Sequence, residues 1–402
     1  MTDRPALSRR RLLTLSGVAS TAAAVSPFLG AREAWGEVAK GKVAPRVPRR
    51  TLGKTGQKIP ILLLGGGAGF DPKFDPKIAR ALQHGVDYID AARAYAGGSC
   101  EANAATTLKR LKVLDDVWIT SKSESHDGPG LERNVETSLA ALGRKSVDLY
   151  FLHGIEDPAI LSDKALFASV DKLKKAGKIK YFGFSCHDGT VAELLKKAAG
   201  ISAIDAIMFR YNFRTYGNKE LNQAMDAAHK ANIGLIAMKT QGAEASFESA
   251  WKKFEKTGKW TKHQAVLKAV WSDARISAAV SHMDNLDKLQ QNIAAAVDDE
   301  KLGLADWHAI ERYASLTRRE ACDGCGHVCN AAVSQPVNIA TTLRCVMYHD
   351  VYGDADKARR VFSSLPEAAR NLAGVDFSAA SRACPHGLDI TRHMERARQI
   401  LV

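Results

Sequence analysis

Four ionisable residues stand at or just beyond the ends of short apolar runs in this sequence. Asp90 closes the run Tyr88-Ile89, Tyr95 lies five residues further on, Ser121-Lys122 ends Val117 to Thr120, and His153 ends Leu149 to Leu152. Singly, each has a structural reading: a helix cap for Asp90, a packed loop aromatic for Tyr95, a solvated cation for Lys122 and a hydrogen-bonded core imidazole for His153. As a set they suit reduction of a carbonyl group, which needs a proton donor at oxygen and a hydride donor at carbon. A phenol has an unperturbed pKa of about 10, and a nearby ammonium that favours phenolate makes it a better donor. On this reading Lys122 activates Tyr95, Asp90 keeps Lys122 charged and oriented, and His153 directs a hydrogen bond at the carbonyl oxygen. None of the four delivers hydride, so a nicotinamide or similar donor is implied.

Cysteine is the second chemical signal. Cys100 and Cys186 are scattered, whereas the other five of the seven lie beyond residue 320, unlike a disulfide framework spread through the chain. Cys322-x2-Cys325-x3-Cys329 with a distant Cys384-Pro385 parallels the iron–sulfur run C-x2-C-x2-C-x3-C-P, in which the fourth cysteine serves a different cluster from its neighbours. If Cys322, Cys325, Cys329 and Cys384 meet, one [4Fe–4S] centre results. Cys345 is the reserve ligand, with a packed thiol on a predicted helix as the other reading. Four cysteinates suit zinc equally, and structural disulfides stay open as an alternative. Covalent haem is unsupported, because Gly326 separates Cys325 from His327.

The elements that must position these residues follow from patterning. From Arg50 onward, apolar runs at Ile61 to Leu64, Tyr88 to Ile89, Val117 to Thr120, Leu149 to Leu152, Tyr181 to Phe184, Ile204 to Phe209, Leu235 to Met238 and Ala278 to Ser281 make eight candidate strands. Helical spacing falls between them, at Pro76 to His84, Gly130 to Leu142, Asp163 to Ala176, Val191 to Ala199 and Lys219 to Ala231. Strand alternating with helix predicts an α/β chain built as a (β/α)8 TIM barrel, whose strand ends carry the chemistry. The alternative is a doubly wound sheet. Its usual first-turn glycines are matched only by Gly65-Gly66-Gly67-Ala68-Gly69, which runs into a proline-containing loop instead of a helix. Past residue 300 the strands stop, and Leu304 to Leu316, Ile339 to Tyr348, Asp354 to Leu365 and Thr391 to Leu401 read as helices. The expected organisation is an address over 1–36, a linker over 37–48, a barrel with an N-terminal hairpin over 49–300 and a helical, cysteine-bearing region over 301–402.

Ser8-Arg9-Arg10-Arg11-Leu12-Leu13 followed by a mildly apolar run to about residue 26 has the form of a twin-arginine export signal. That run is too weakly apolar for a retained anchor, since a span needs about 20 strongly apolar residues, and Ala34-Trp35-Gly36 is a loosely placed cleavage region. A periplasmic destination by that route, which carries folded proteins, is compatible with a cysteine-bound metal centre. The 402 residues, 46% hydrophobic and 25% charged, have ordinary globular composition. The net charge of +13 is inflated by Arg4, Arg9, Arg10, Arg11 and Arg32, and no stretch interleaves basic and aromatic residues as a single-strand platform would, which excludes nucleic acid.

The sequence resembles the aldo/keto reductase family over roughly residues 49 to 298. The matching segments are Arg50-Thr51-Leu52-Gly53-Lys54-Thr55-Gly56 for the opening hairpin and Gly85-Val86-Asp87-Tyr88-Ile89-Asp90-Ala91-Ala92-Arg93-Ala94-Tyr95 for the Asp-to-Tyr segment. Thr120-Ser121-Lys122, Val147-Asp148-Leu149-Tyr150-Phe151-Leu152-His153 and Gly177-Lys178-Ile179-Lys180-Tyr181-Phe182-Gly183-Phe184-Ser185 match three later segments. The resemblance implies Asp90, Tyr95, Lys122 and His153 as catalytic tetrad, a small carbonyl or alcohol substrate, and NADP(H) or NAD(H) across the barrel mouth. Gly66, Ser185, Asn212, Lys239, Lys288 and Asn292 are its cofactor-contact set. Cys186 and Met208 depart from the nicotinamide-contact pattern, and basic residues for a 2′-phosphate are few. The cysteine segment is similar to the ferredoxin-like tails of some members, where Met347-Tyr348-His349 and Pro385-His386-Gly387-Leu388-Asp389-Ile390 also have counterparts. A redox partner protein is expected with such a tail. The alternative is an exported electron-transfer or binding protein that uses the barrel without free nicotinamide.

Overall fold

The computed structural model describes residues 44–187, 189–240, 260–316, 319, 322–350 and 353–402. The export address over 1–36 and most of the 37–48 linker lie outside the described residues. Arg49–Thr51 (β1) and Lys58–Pro60 (β2) pair antiparallel, with Thr51 opposite Lys58. The barrel strands are Leu62–Gly65 (β3), Tyr88–Asp90 (β4), Trp118–Ser123 (β5), Val147–Leu152 (β6), Ile179–Cys186 (β7), Ala206–Arg210 (β8), Gly234–Met238 (β9) and Ile276–Ser281 (β10). They run parallel, each beside its sequence neighbour, and β10 closes on β3. The chain is therefore a closed α/β barrel, and the open doubly wound sheet is excluded.

Period-two alternation in each strand separates two cores. Leu63, Tyr88, Trp118, Leu149, Phe151, Met208 and Ile236 fill the barrel interior, while Leu62, Leu64, Ile89, Ile119, Leu152 and Cys186 face the helical layer. The hairpin plugs the bottom, placing Leu52 and Ile59 in the inner core. Gly53 turns there with φ +46°, and a Cβ on it would sit 2.3 Å from the Gly234 amide nitrogen, so only glycine fits.

The barrel helices are Pro76–Gln83 (α1), Cys100–Arg110 (α2), Gly128–Leu142 (α3), Lys164–Lys175 (α4), Val191–Ala198 (α5), Lys219–Lys230 (α6), Lys262–Ser272 (α7) and Leu286–Val297 (α8). Side chains of Asp75, Asp127, Asp163, Asn218, Thr261 and Asn285 accept first-turn amides of six of them. Such caps fix the helix starts and stabilise by about 1 kcal/mol each.

Beyond the barrel come Leu304–Leu316 (α9), Gly326–Ala331 (α10), Ile339–Asp350 (α11), Ala355–Ser363 (α12), Glu367–Arg370 (α13), Ser378–Ala383 (α14) and Ile390–Leu401 (α15). Ile339, Cys345, Phe362, Phe377 and Met394 anchor a separate apolar core there, while Tyr313 of α9 packs with Phe213 and Trp260. Among the described residues, no helix is long and apolar enough to cross a membrane.

Candidate active site at the barrel mouth

Adjacent parallel strands bring the first two residues together. Asp90 is paired in register with Thr120, so Lys122, two residues further along β5, reaches back over it. Its Nζ donates to Asp90 Oδ1 at 2.8 Å and to the Ala91 carbonyl at 2.7 Å. The side chains are 1% and 4% exposed, an ion pair sealed from water. Tyr95 follows β4 on a short 3-10 segment, Tyr95–Gly98, in which Ala96 and Gly97 take positive φ. The Lys122 ammonium lies 4.6 Å from the centroid of the Tyr95 ring. His153, just past β6, meets that ring edge-on at 5.5 Å. All four residues singled out in the sequence thus converge at the C-terminal ends of β4, β5 and β6.

Burial raises the Tyr95 phenol well above its ordinary pKa, and the Asp90 charge adds to the rise, so the hydroxyl keeps its proton at neutral pH. This differs from the sequence expectation that Lys122 would favour phenolate. The reason is burial, which penalises the phenolate most, with the Asp90 charge beside it adding to the rise.

Burial also lowers the His153 pKa, against an opposing hydrogen bond to Glu124, which leaves the ring neutral at pH 7. His153 Nδ1 is 3.4 Å from Glu124 Oε1. A carboxylate only accepts, so Nδ1 carries the proton and Nε2 of the neutral ring accepts. The expected donation from His153 to a carbonyl oxygen therefore requires the imidazolium. Burial would raise Glu124, but the hydrogen bonds it accepts from His153 and from a backbone amide, together with the Arg93 charge, outweigh this and lower it, so it is ionised. It also accepts from Arg93 Nε at 3.3 Å and the Ala94 amide at 3.2 Å. Sequence reasoning missed Glu124, although its place two residues after Lys122 was a usable signal.

The cofactor-contact candidates divide. Ser185, at the end of β7, accepts from the Gly154 amide at 2.9 Å. Asn212 donates from Nδ2 to the Lys239 carbonyl at 3.0 Å, tying the ends of β8 and β9. Asn292 is buried and donates to Ser281 Oγ at 3.0 Å, whereas Lys288 is exposed and paired with Asp284 at 2.7 Å. Gly66 has a packing reason to be glycine, since a Cβ would lie 2.7 Å from Cys100 Sγ and 3.0 Å from the Asp90 carbonyl. Cys186 points into the helical layer and Met208 into the barrel core, so neither side chain substitutes for a ligand contact at the mouth. Thr240 Oγ1, Arg210 Nε and His187 Nδ1 are buried polar atoms without a hydrogen-bond partner, a condition that a bound polar ligand would relieve.

The C-terminal helices add residues that the sequence reading did not connect with this site. Tyr348 of α11 lies against Lys239, whose Nζ is 3.5 Å from the Tyr348 hydroxyl. Lys357 of α12 sits 4.7 Å from the centroid of the Tyr348 ring and 5.8 Å from that of Tyr95. It also donates to the Gly67 carbonyl at 3.4 Å.

Below these helices, the Gly189 amide donates to the Gly324 carbonyl at 2.7 Å, and Arg210 donates to the Cys322 carbonyl at 2.5 Å. A Cβ on Gly189 would lie 2.7 Å from Cys325 Cα, so the cysteine loop rests directly on the barrel. Cys322, Cys325, Cys329 and Cys384 share one neighbourhood. Burial pushes Cys325 up to about 11, with Cys322 and Cys384 adding to the rise. Burial pushes Cys329 up to about 12, with Cys322 and Cys325 adding. Cys345 instead packs in the helical core. As the side chains lie, no group of three histidine, cysteine or acidic residues among those described is disposed as a metal site.

The aldo/keto reductase family model matches residues 71–295. An aldo-keto reductase of Gibberella moniliformis is 29% identical over 174 residues, covering 40% of this chain and 50% of the relative, so the chain spans half that protein's length. An L-galactose dehydrogenase of Arabidopsis thaliana is 22% identical over 307 residues, 64% of this chain and 91% of that one. Among solved structures, the holo form of an aldo-keto reductase from Bacillus halodurans superposes with a TM-score of 0.54 at 19% identity, covering 67% of this chain and 96% of that chain. The barrel, its parallel closure and the family match over more than half of the sequence agree: the chain belongs to the aldo/keto reductase family of oxidoreductases.

Proposed function

We propose that the protein reduces a small carbonyl compound, or oxidises the corresponding alcohol, at the mouth of its barrel with NADP(H) or NAD(H). The observation that carries this reading is the convergence of Tyr95, protonated by burial, with the Asp90–Lys122 pair and His153. A reduced nicotinamide, when bound, supplies a hydride to the carbonyl carbon. Tyr95 gives its proton to the carbonyl oxygen, and the Lys122 ammonium above the ring offsets the negative charge left on the phenolate. Asp90 holds that ammonium in place. Neutral His153, with Nδ1 turned to Glu124, offers Nε2 as acceptor and so orients a hydroxyl, which suits the alcohol side of the reaction. Ser185, Asn212, Lys239 and Asn292 would hold the cofactor, and the orphaned Thr240 and Arg210 atoms support a polar occupant there.

Tyr95→Phe removes the donated proton and leaves the ring. Carbonyl reduction by the purified protein is expected to fall by at least about 100-fold, and unchanged turnover would exclude Tyr95 as the acid.

The finer reading adds one [4Fe–4S] centre on Cys322, Cys325, Cys329 and Cys384, with zinc as the competing occupant. Its support is the common neighbourhood of the four thiols and their seat against the barrel. Iron and acid-labile sulfide per chain decide between them. Cys322→Ser is expected to lose the iron and Cys345→Ser to keep it, and zinc without sulfide in the wild type overturns the cluster. Export by the twin-arginine route completes the proposal, supported by Ser8-Arg9-Arg10-Arg11-Leu12-Leu13.

A further inference from the structure

Glu124, one residue past β5, bridges two parts of the site that come from different strands. Its Oε1 is 3.4 Å from His153 Nδ1 and accepts from the Ala94 amide at 3.2 Å. Its Oε2 accepts from Arg93 Nε at 3.3 Å. One carboxylate thus grips the imidazole that follows β6 and the two residues that precede Tyr95.

Both grips fall where the main chain alone leaves freedom. The His153 amide donates to the Ser123 carbonyl at 2.8 Å, and the His153 carbonyl lies 2.9 Å from His126 Nε2. Those contacts fix the backbone of His153, while the rotation and tautomer of its ring follow from the partner of Nδ1. After Tyr95 the chain turns into the left-handed region at Ala96, with φ +51°. A residue with a Cβ stays there only when its surroundings hold it. On the far side of this turn the Ser99 hydroxyl donates to the Ala96 carbonyl at 2.7 Å. On the near side the hold on Ala94 comes from Glu124.

We propose that Glu124 is a positioning residue for the reaction at Tyr95, keeping the His153 proton on Nδ1 and, through the same oxygen, holding the segment that delivers the Tyr95 hydroxyl. Both grips need an acceptor at Oε1 more than they need a charge. The inference rests on the reading of Tyr95 as proton donor with His153 beside it.

The test uses the full-length protein, isotope-labelled at its histidine nitrogens, with Glu124→Gln and Glu124→Leu as variants. The His153 signals are identified by their loss in His153→Phe, and couplings between ring nitrogens and ring carbon-bound protons report the tautomer. The Nδ1–H pattern is expected in the wild type and in Glu124→Gln, whose amide oxygen still accepts. Glu124→Leu is expected to lose it. An Nε2–H pattern in the wild type, or an unchanged pattern in Glu124→Leu, overturns the proposal.

Reduction of 4-nitrobenzaldehyde by NADPH reads the hold on Tyr95. In Glu124→Leu kcat is expected to fall about tenfold or more at unchanged NADPH affinity, and in Glu124→Gln to stay within about threefold of the wild type. Full kcat in Glu124→Leu, or an equal fall in both variants, overturns that hold. Absent nicotinamide binding would contradict the reductase reading alone. The tautomer pattern needs no turnover and still upholds or overturns the hold of Glu124 on His153.

Discussion

Removing one half of the Asp90–Lys122 pair strands a charge where water is excluded, because both side chains are almost wholly buried. Asp90→Asn is therefore expected to destabilise the protein by about 3 kcal/mol in denaturant unfolding as well as to slow carbonyl reduction. A loss of activity with full stability would contradict the pairing. A second residue-scale consequence concerns pH. Burial, and then the Lys357 charge, lower the His282 pKa from 6.5 to about 4. Between those values the unfolded chain binds the extra proton and the folded one does not. Stability from this group is thus complete above pH 6.5 and is lost as the pH falls towards 4. His282→Gln is expected to flatten the fall in Tm over that interval, and an unchanged slope would show that the ring titrates normally. Asp90, Lys122 and His153 were legible because each sits at or just past the end of an apolar run, and Tyr95 because it follows Asp90 by five residues. Their electrostatics were not, since the protonation of Tyr95 and the tautomer of His153 depend on burial and on Glu124.

At the level of elements, each apolar run read from the sequence corresponds to a barrel strand, and the misjudged parts have physical reasons. The run taken to end at Thr120 continues as strand to Ser123, because Ser121, Lys122 and Ser123 are buried polar residues satisfied by Glu101, Asp90 and the Ser125 carbonyl. Polar residues at a strand end look like a loop until their partners are known. The helix Cys100–Arg110 was not singled out because its buried face carries one large apolar side chain, Leu108, beside Cys100, Glu101, Ala104, Ala105 and Thr107, leaving little apolar contrast. The contact between the barrel and the cysteine loop gives a prediction of its own. Gly189→Ala would drive a Cβ to 2.7 Å from Cys325 Cα, so the loop must shift. Iron content, or the absorbance of any bound cluster, is expected to fall while the far-ultraviolet circular dichroism of the barrel stays unchanged. Full retention of iron would mean that the loop tolerates displacement.

The whole molecule joins a barrel that holds Tyr95, Asp90, Lys122 and His153 to a helical region that holds five of the seven cysteines, and the two meet over Tyr95 through Tyr348 and Lys357. That meeting was not legible in the sequence. Lys357 lies 262 positions beyond Tyr95, and no local pattern announces which face of one region docks on another. The export proposal also belongs to this scale. Replacing Arg9 and Arg10 with lysine is expected to trap the folded precursor in the cytoplasm, as fractionation would show, and normal export would refute the twin-arginine route. The central claim is that the barrel mouth performs hydride chemistry with a nicotinamide. It is tested most directly by anaerobic titration of the purified protein with NADPH and NADH, following fluorescence and checking for cofactor carried through purification. Saturable binding of either, or retained nicotinamide, is the predicted result. With no binding and no retained cofactor, the tetrad would lack a hydride source and the reductase reading would be contradicted.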